Sequence, residues 1–234
     1  MRPNFQTYDQ TPVKLTQDIA QQQNRVLRNT YFLLALSMVP TVLGALIGVQ
    51  THFSIFAFGP MVGMLLFFGI AGGLMYGVKK TQESGMGVAL LLGFTFFMGL
   101  MLSDILRAAL GFSNGGTLIA LAAGGTGAIF LTLAGVASTT KRDFSGIGKF
   151  LFAGMALVFV AMLANMFFQI PALALALSAL AVVIFSGYIL YDINRIVHGG
   201  ETNYISATLS VYLDIYNVFV NLLSLLMAFT GQRD

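Results

Sequence analysis

The sequence predicts an all-α integral membrane protein, a bundle of seven transmembrane helices forming one packed unit. Three observations carry this. Of 234 residues, 57% are hydrophobic and only 9% are charged, whereas soluble domains carry about 25% charged residues. From Asn29 to Val78 there is no Lys, Arg, Asp or Glu, which is room for two spans of about 20 residues each. The cations also gather in alternate loops. Ten lie in the N-terminal tail and in the predicted 2–3, 4–5 and 6–7 loops, and two, Arg107 and Arg233, lie on the other side. By the positive-inside rule this places the N-terminus in the cytoplasm and, after seven crossings, the C-terminus outside. The net charge of +3 and a pI near 9.3 therefore reflect topology, not a nucleic-acid surface. Cysteine is absent, which excludes disulfides and thiolate chemistry.

Residues 1–24 read as a polar, Gln-rich cytoplasmic tail, disordered or loosely helical, with Pro3 and Pro12. It has no apolar stretch of the secretory type. Residues 25–234 form the membrane domain. Helix 1 is expected at about 27–49, with Pro40 as an interior kink. Gln50-Thr51-His52 separates it from helix 2, at about 54–77. Gly69, Gly73 and Gly77 recur there every fourth residue, a ridge on which a neighbouring helix is expected to pack closely. Helix 3 is expected at 85–110, where Asp104 and Arg107 are spaced to pair. Helix 4, at 117–139, carries Gly124, Gly125 and Gly127, read as packing positions. Helix 5 covers 146–168. Gln169-Ile170-Pro171 makes a tight turn, with Pro171 suited to a first helical position. Helix 6 runs to about 198, where Gly199-Gly200 stop it. Helix 7 covers 203–229.

Two aspartates, Asp192 and Asp214, flank the short 6–7 turn inside apolar segments. A carboxylate at a span's centre costs roughly 2.5–3.5 kcal/mol on insertion scales, so each is a functional candidate by default. On helix 7, Ser210, Asp214, Asn217, Asn221 and Ser224 step by four, three, four and three. They fall on one stripe, and such a stripe cannot face lipid. Helix 7 is therefore enclosed by its neighbours or lines a wet cavity, unless the stripe serves only interhelical hydrogen bonds. The short turn makes helices 6 and 7 antiparallel neighbours. The two aspartates are offset by about four residues, or ~6 Å along the axis, and their side chains tilt toward each other. A shared pair in the cytoplasmic half follows, titrating as a unit. Protonated, it bridges the helices. Deprotonated, it repels itself or recruits a cation, with Ca²⁺ favoured by hard oxygen ligands. Asp192, Asp214 and Asn217 are too few ligands for a storage site, which suggests transient binding. Arg195, three residues after Asp192, offers a plainer alternative, an ion pair. His52 and His198 lie in opposite turns and cannot share a metal. With no nucleophile–base pair, zinc spacing or nucleotide motif in the sequence, catalysis is not expected.

Leu27-Arg28-Asn29-Thr30-Tyr31, the turn His198-Gly199-Gly200-Glu201-Thr202-Asn203-Tyr204-Ile205, and Tyr212-Leu213-Asp214-Ile215-Tyr216-Asn217 resemble the Bax inhibitor-1 family, also called transmembrane Bax-inhibitor-motif proteins. The wording of the turn is similar to the proteobacterial YccA-like branch, inner-membrane proteins that bind and modulate the protease FtsH. The resemblance covers helices 1 to 7. It implies a seven-helix bundle with helix 7 central. It also implies that Asp192 and Asp214 match a di-aspartyl pH sensor that gates a Ca²⁺ leak in some bacterial members. Those members carry a sensor-pairing arginine on helix 2, whereas helix 2 here has no basic residue before Lys79. The implied functions are a pH-sensitive Ca²⁺/cation leak or, alternatively, a non-transporting modulator of FtsH engaged through the N-terminal tail. The site residues on the first reading are Asp192, Asp214, Asn217, Asn221 and Arg195, with transient Ca²⁺ the one ion expected. The bilayer is the other partner.

Overall fold

The computed structural model describes residues 11–231, with side chains from residue 21 onward. Seven helices follow in order: α1 Thr11–Gln50, α2 Pro60–Lys80, α3 Gly85–Leu110, α4 Gly115–Thr139, α5 Gly148–Phe168, α6 Pro171–Val197 and α7 Tyr204–Gly231. All seven are long and apolar enough to cross a membrane, and no strand occurs among the described residues. The first ten residues of the predicted tail lie outside the described part.

Two boundaries differ from the sequence reading, for local reasons. Helix α1 begins at Thr11, not near 27, so residues 11–24 of the tail are helical. The run Lys14–Gln23 contains no Gly or Pro, and helix propensity continues past the membrane edge. Helix α2 starts at Pro60, not near 54. His52 turns the chain at φ 55, Ile55–Phe58 form one 3₁₀ turn, and Gly59 at φ 96 makes the break. Pro60 then opens the helix where no N–H is needed. The 5–6 turn is as expected, with Gln169 at φ 52 ending α5 and Pro171 starting α6. Gly199, at φ +77, allows the chain to leave α6.

In lipid a polar side chain finds partners inside the protein or pays for burial. Here many find them one turn back. Thr30, Ser37, Thr41 and Thr126 each donate to the carbonyl four residues earlier, at 2.7–2.8 Å. The closest helix crossing is α1 on α3. A Cβ on Gly44 would press into the Phe96 carbonyl oxygen, and one on Gly99 into that of Thr41. Thr41 Oγ1 also lies 2.9 Å from Tyr212 Oη, which ties α1 to α7. The glycine ridge predicted on α2 is not a packing face. Gly69 and Gly73 are exposed with nothing near their Cβ positions, and only Gly77 meets a neighbour, Leu90. On α4, Gly125 packs against Leu222, whereas Gly124 and Gly127 face open space.

Helix α7 packs against α1, α2, α3, α4 and α6. None of its residues from Tyr204 to Ala228 is exposed. Its Tyr212 lies edge to face with Phe94 of α3, ring centroids 6.1 Å apart, and both are fully buried. Helix α5 packs on α6 and turns Phe150, Phe152 and Leu157 outward. At the far end from the 6–7 turn, Asp104 pairs with Arg107, as the spacing predicts. Ser54 also donates to Asp104, and Arg107 to the Gly48 and Phe53 carbonyls.

Candidate functional site

Helices α6 and α7 run antiparallel from the 6–7 turn, and side chains do most of the holding there. Asn203 accepts from the Ile205 and Ser206 N–H groups, at 2.9 and 3.1 Å, capping α7. Its amide donates to the Gln82 carbonyl at 2.9 Å, fastening the 2–3 loop. Glu201 accepts from the Asn203 N–H and the Ser206 hydroxyl. Asn194, fully buried, does the same for the 4–5 loop: it accepts from the Phe144 N–H at 2.8 Å and donates to the Arg142 carbonyl at 3.0 Å. Part of the turn motif that carries the family resemblance, Glu201 and Asn203, thus fastens the 6–7 turn and the 2–3 loop.

Deeper in the bundle than this fastening, Asp192 of α6 and Asp214 of α7 line one cavity. Asp214 is 5% exposed. Its Oδ2 is buried and has no hydrogen-bond partner among the described residues. Asp192 is also paired with Arg195, at 3.7 Å. The Arg195 guanidinium donates to the Gly200 carbonyl at 3.2 Å and sits 5.6 Å from the centre of the Tyr191 ring. The plainer ion pair and the carboxyl pair therefore coexist at Asp192.

The pair opens on a cavity of about 300 Å³, lined by Met155 of α5, Phe185, Tyr188 and Asp192 of α6, and Ser210, Leu213, Asp214 and Asn217 of α7. Asn217 thus joins the two aspartates. Asn221 is buried further along and does not line this cavity. The stripe on α7 makes few bonds across helices: Asn217, Asn221 and Ser224 donate to Leu213, Asn217 and Val220 on their own helix, at 2.8–2.9 Å. Sequence reasoning missed Tyr188. It stands one turn before Asp192 on the same face and lines the cavity, but a tyrosine in a span reads as core or as interfacial belt. No group of three or more His, Cys, Asp or Glu residues suited to hold a metal occurs among the described residues. Two carboxyls and one amide fall short of the about six to eight oxygens Ca²⁺ takes.

Residues 23–231 match the protein family described as Inhibitor of apoptosis-promoting Bax1. Escherichia coli K12 has a relative named Modulator of FtsH protease YccA, 41% identical over 203 residues, covering 87% of this chain and 90% of that protein. An uncharacterized protein of Pseudomonas aeruginosa is 39% identical over 214 residues, with 91% and 94% covered. One from Neisseria meningitidis serogroup A is 36% identical over 212 residues, with 90% and 93% covered.

Proposed function

Because the chain belongs to the Bax inhibitor-1 family, we propose that it is a proton-responsive cation leak of the bacterial inner membrane, with Asp192 and Asp214 as sensor and passing Ca²⁺ ligands. One observation carries this reading: Asp192 and Asp214 line one cavity, and the buried Asp214 Oδ2 lacks a donor there. A proton held between them supplies that oxygen's missing partner and bridges α6 to α7. Loss of the proton leaves two facing charges, of which Arg195 offsets only the one on Asp192. Repulsion then loosens the α6–α7 contact, or a cation enters, completed by Asn217 and water. On this reading the protein is a non-catalytic membrane protein, and the clustering of cations in alternate loops supports an N-terminus in the cytoplasm and a C-terminus in the periplasm.

The test is Ca²⁺ entry into proteoliposomes across about pH 6 to 8. Flux should rise with pH and lose that dependence in an Asp192→Asn, Asp214→Asn double variant. A chain that passes no Ca²⁺ at any pH removes the reading.

A second reading is a non-transporting modulator of FtsH, favoured by the relative that bears that name. A relative in another E. coli strain is named an inner membrane protein. On this reading the Gln-rich tail, residues 1–24, is the handle, and the unbroken α1 carries a pull on it into the bundle. Co-purification with FtsH, and substrate turnover with and without residues 1–24, test it. If neither binding nor turnover responds, the reading fails.

A further inference from the structure

A second cavity, of about 600 Å³, lies on the other face of α7 and plays no part in the site above. Helices α1 and α4 form its walls, α7 its floor, and Leu102, Leu106 and Leu110 of α3 close it at the end remote from the 6–7 turn. Toward the opposite end Tyr31 of α1 meets Phe130 of α4 edge to face, 6.1 Å between ring centroids. We propose that this groove holds one acyl chain of a membrane phospholipid, lying parallel to the bundle axis.

Three features select that occupant. The first is charge complementarity: no charged side chain lines the groove. The hydroxyls of Thr41, Thr126 and Tyr212 on its walls already bond within the protein, at 2.7–2.9 Å. Tyr216 adds one further hydroxyl to an otherwise apolar wall, so the contents must be uncharged and largely apolar, which disfavours a cluster of ordered water. The second is shape. The groove follows α1 from Leu34 to Val49, about 22 Å at the helical rise. That covers most of a hydrocarbon core about 30 Å thick, so an extended acyl chain can lie along it for most of its length. The third is continuity with the lipid-facing surface. Val42 and Leu46 at the groove's edge are about half exposed, 54% and 53%, so a chain enters sideways without crossing a polar barrier.

The test uses the full chain in phosphatidylethanolamine and phosphatidylglycerol vesicles, doped with a phosphatidylethanolamine carrying a diazirine on its acyl chain. After irradiation, cross-links should concentrate on peptides 34–49, 119–130 and 212–219 over the exposed face of α5. Gly127 lines the groove and has open space at its Cβ position. Gly127→Phe should therefore lower groove labelling about tenfold relative to α5 labelling, a factor worth about 1.4 kcal/mol. Gly69→Phe, on the open face of α2, should change nothing. Labelling no denser in the groove than on α5, or unmoved by Gly127→Phe, overturns the proposal. So does a quinone or a partner's transmembrane segment found there instead. If Gly127→Phe does not insert, the pattern on the unaltered chain decides alone.

Discussion

Asp214 Oδ2 lies beyond the reach of any donor among the described residues, and a buried unpaired oxygen costs about 1–3 kcal/mol. An asparagine in its place brings an N–H that can donate to Asp192. Asp214→Asn should therefore raise thermal stability in detergent at high pH by about 1–2 kcal/mol. The gain should shrink as pH falls and a shared proton bridges the pair in the unaltered chain. Equal gains at every pH would mean that the two carboxyls do not titrate together. Asp143, in the 4–5 loop outside the spans, behaves in the opposite sense. The Ser145 N–H donates to its Oδ1 at 2.8 Å, and this bond holds its carboxyl below the usual carboxylate range. A depressed folded value means that the turn's contribution is present above the ordinary carboxylate value and is lost as pH falls through the depressed one. Amide exchange at Ser145 should accelerate in acid, and Asp143→Ala should make it fast at neutral pH. Asp143 is fully exposed, so global stability should barely respond.

At the scale of helices, the α1–α3 crossing is the contact least tolerant of change. The atoms that a Cβ on Gly44 or Gly99 would meet are backbone carbonyl oxygens, and these cannot rotate aside. Gly99→Leu should cost about 3 kcal/mol or more, or abolish the folded protein, whereas Gly73→Ala on α2 should stay within about 0.5 kcal/mol. Comparative melting in one detergent checks both. The sequence showed glycines at fourfold spacing on α2 but could not show whether a helix lies against them. Periodicity locates a face, and only the tertiary arrangement supplies its neighbour. Non-adjacent pairings such as α1 with α3 leave no local signal for the same reason. Helix ends were legible because their cause is local: Gln169 and Pro171 at the 5–6 turn, Gly199 after α6. Gly59-Pro60 carried the same signal at the start of α2 and went unread. The aspartate pair was legible because a short turn fixes which helices adjoin and residue counting fixes depth. Tyr188 was not, since nothing local separates a cavity-lining tyrosine from a packed one. Fastening is a second test at this scale. Asn194→Ala removes both bonds to the 4–5 loop. It should cost about 1–3 kcal/mol and open residues 141–147 to protease before the helices unfold.

At the scale of the whole molecule, the orientation in the membrane decides which compartment the aspartate pair senses. The pair lies in the half of the bundle nearer the 6–7 turn. That end carries Lys79, Lys80, Lys141, Arg142, Lys149 and Arg195, while the opposite end has Arg107. If the cation-rich end faces the cytoplasm, the pair responds to cytoplasmic pH. The chain contains no cysteine, so single introduced cysteines report without background. Glu83→Cys in the 2–3 loop and Ser113→Cys in the 3–4 loop stand at opposite ends, and both positions are exposed or nearly so. In intact spheroplasts a membrane-impermeant maleimide should label Ser113→Cys and leave Glu83→Cys unlabelled until the membrane is broken. The opposite pattern would turn the molecule over and make the aspartates sensors of the periplasm. The pH dependence of the leak would then follow the external buffer, although every contact inside the bundle would remain as described.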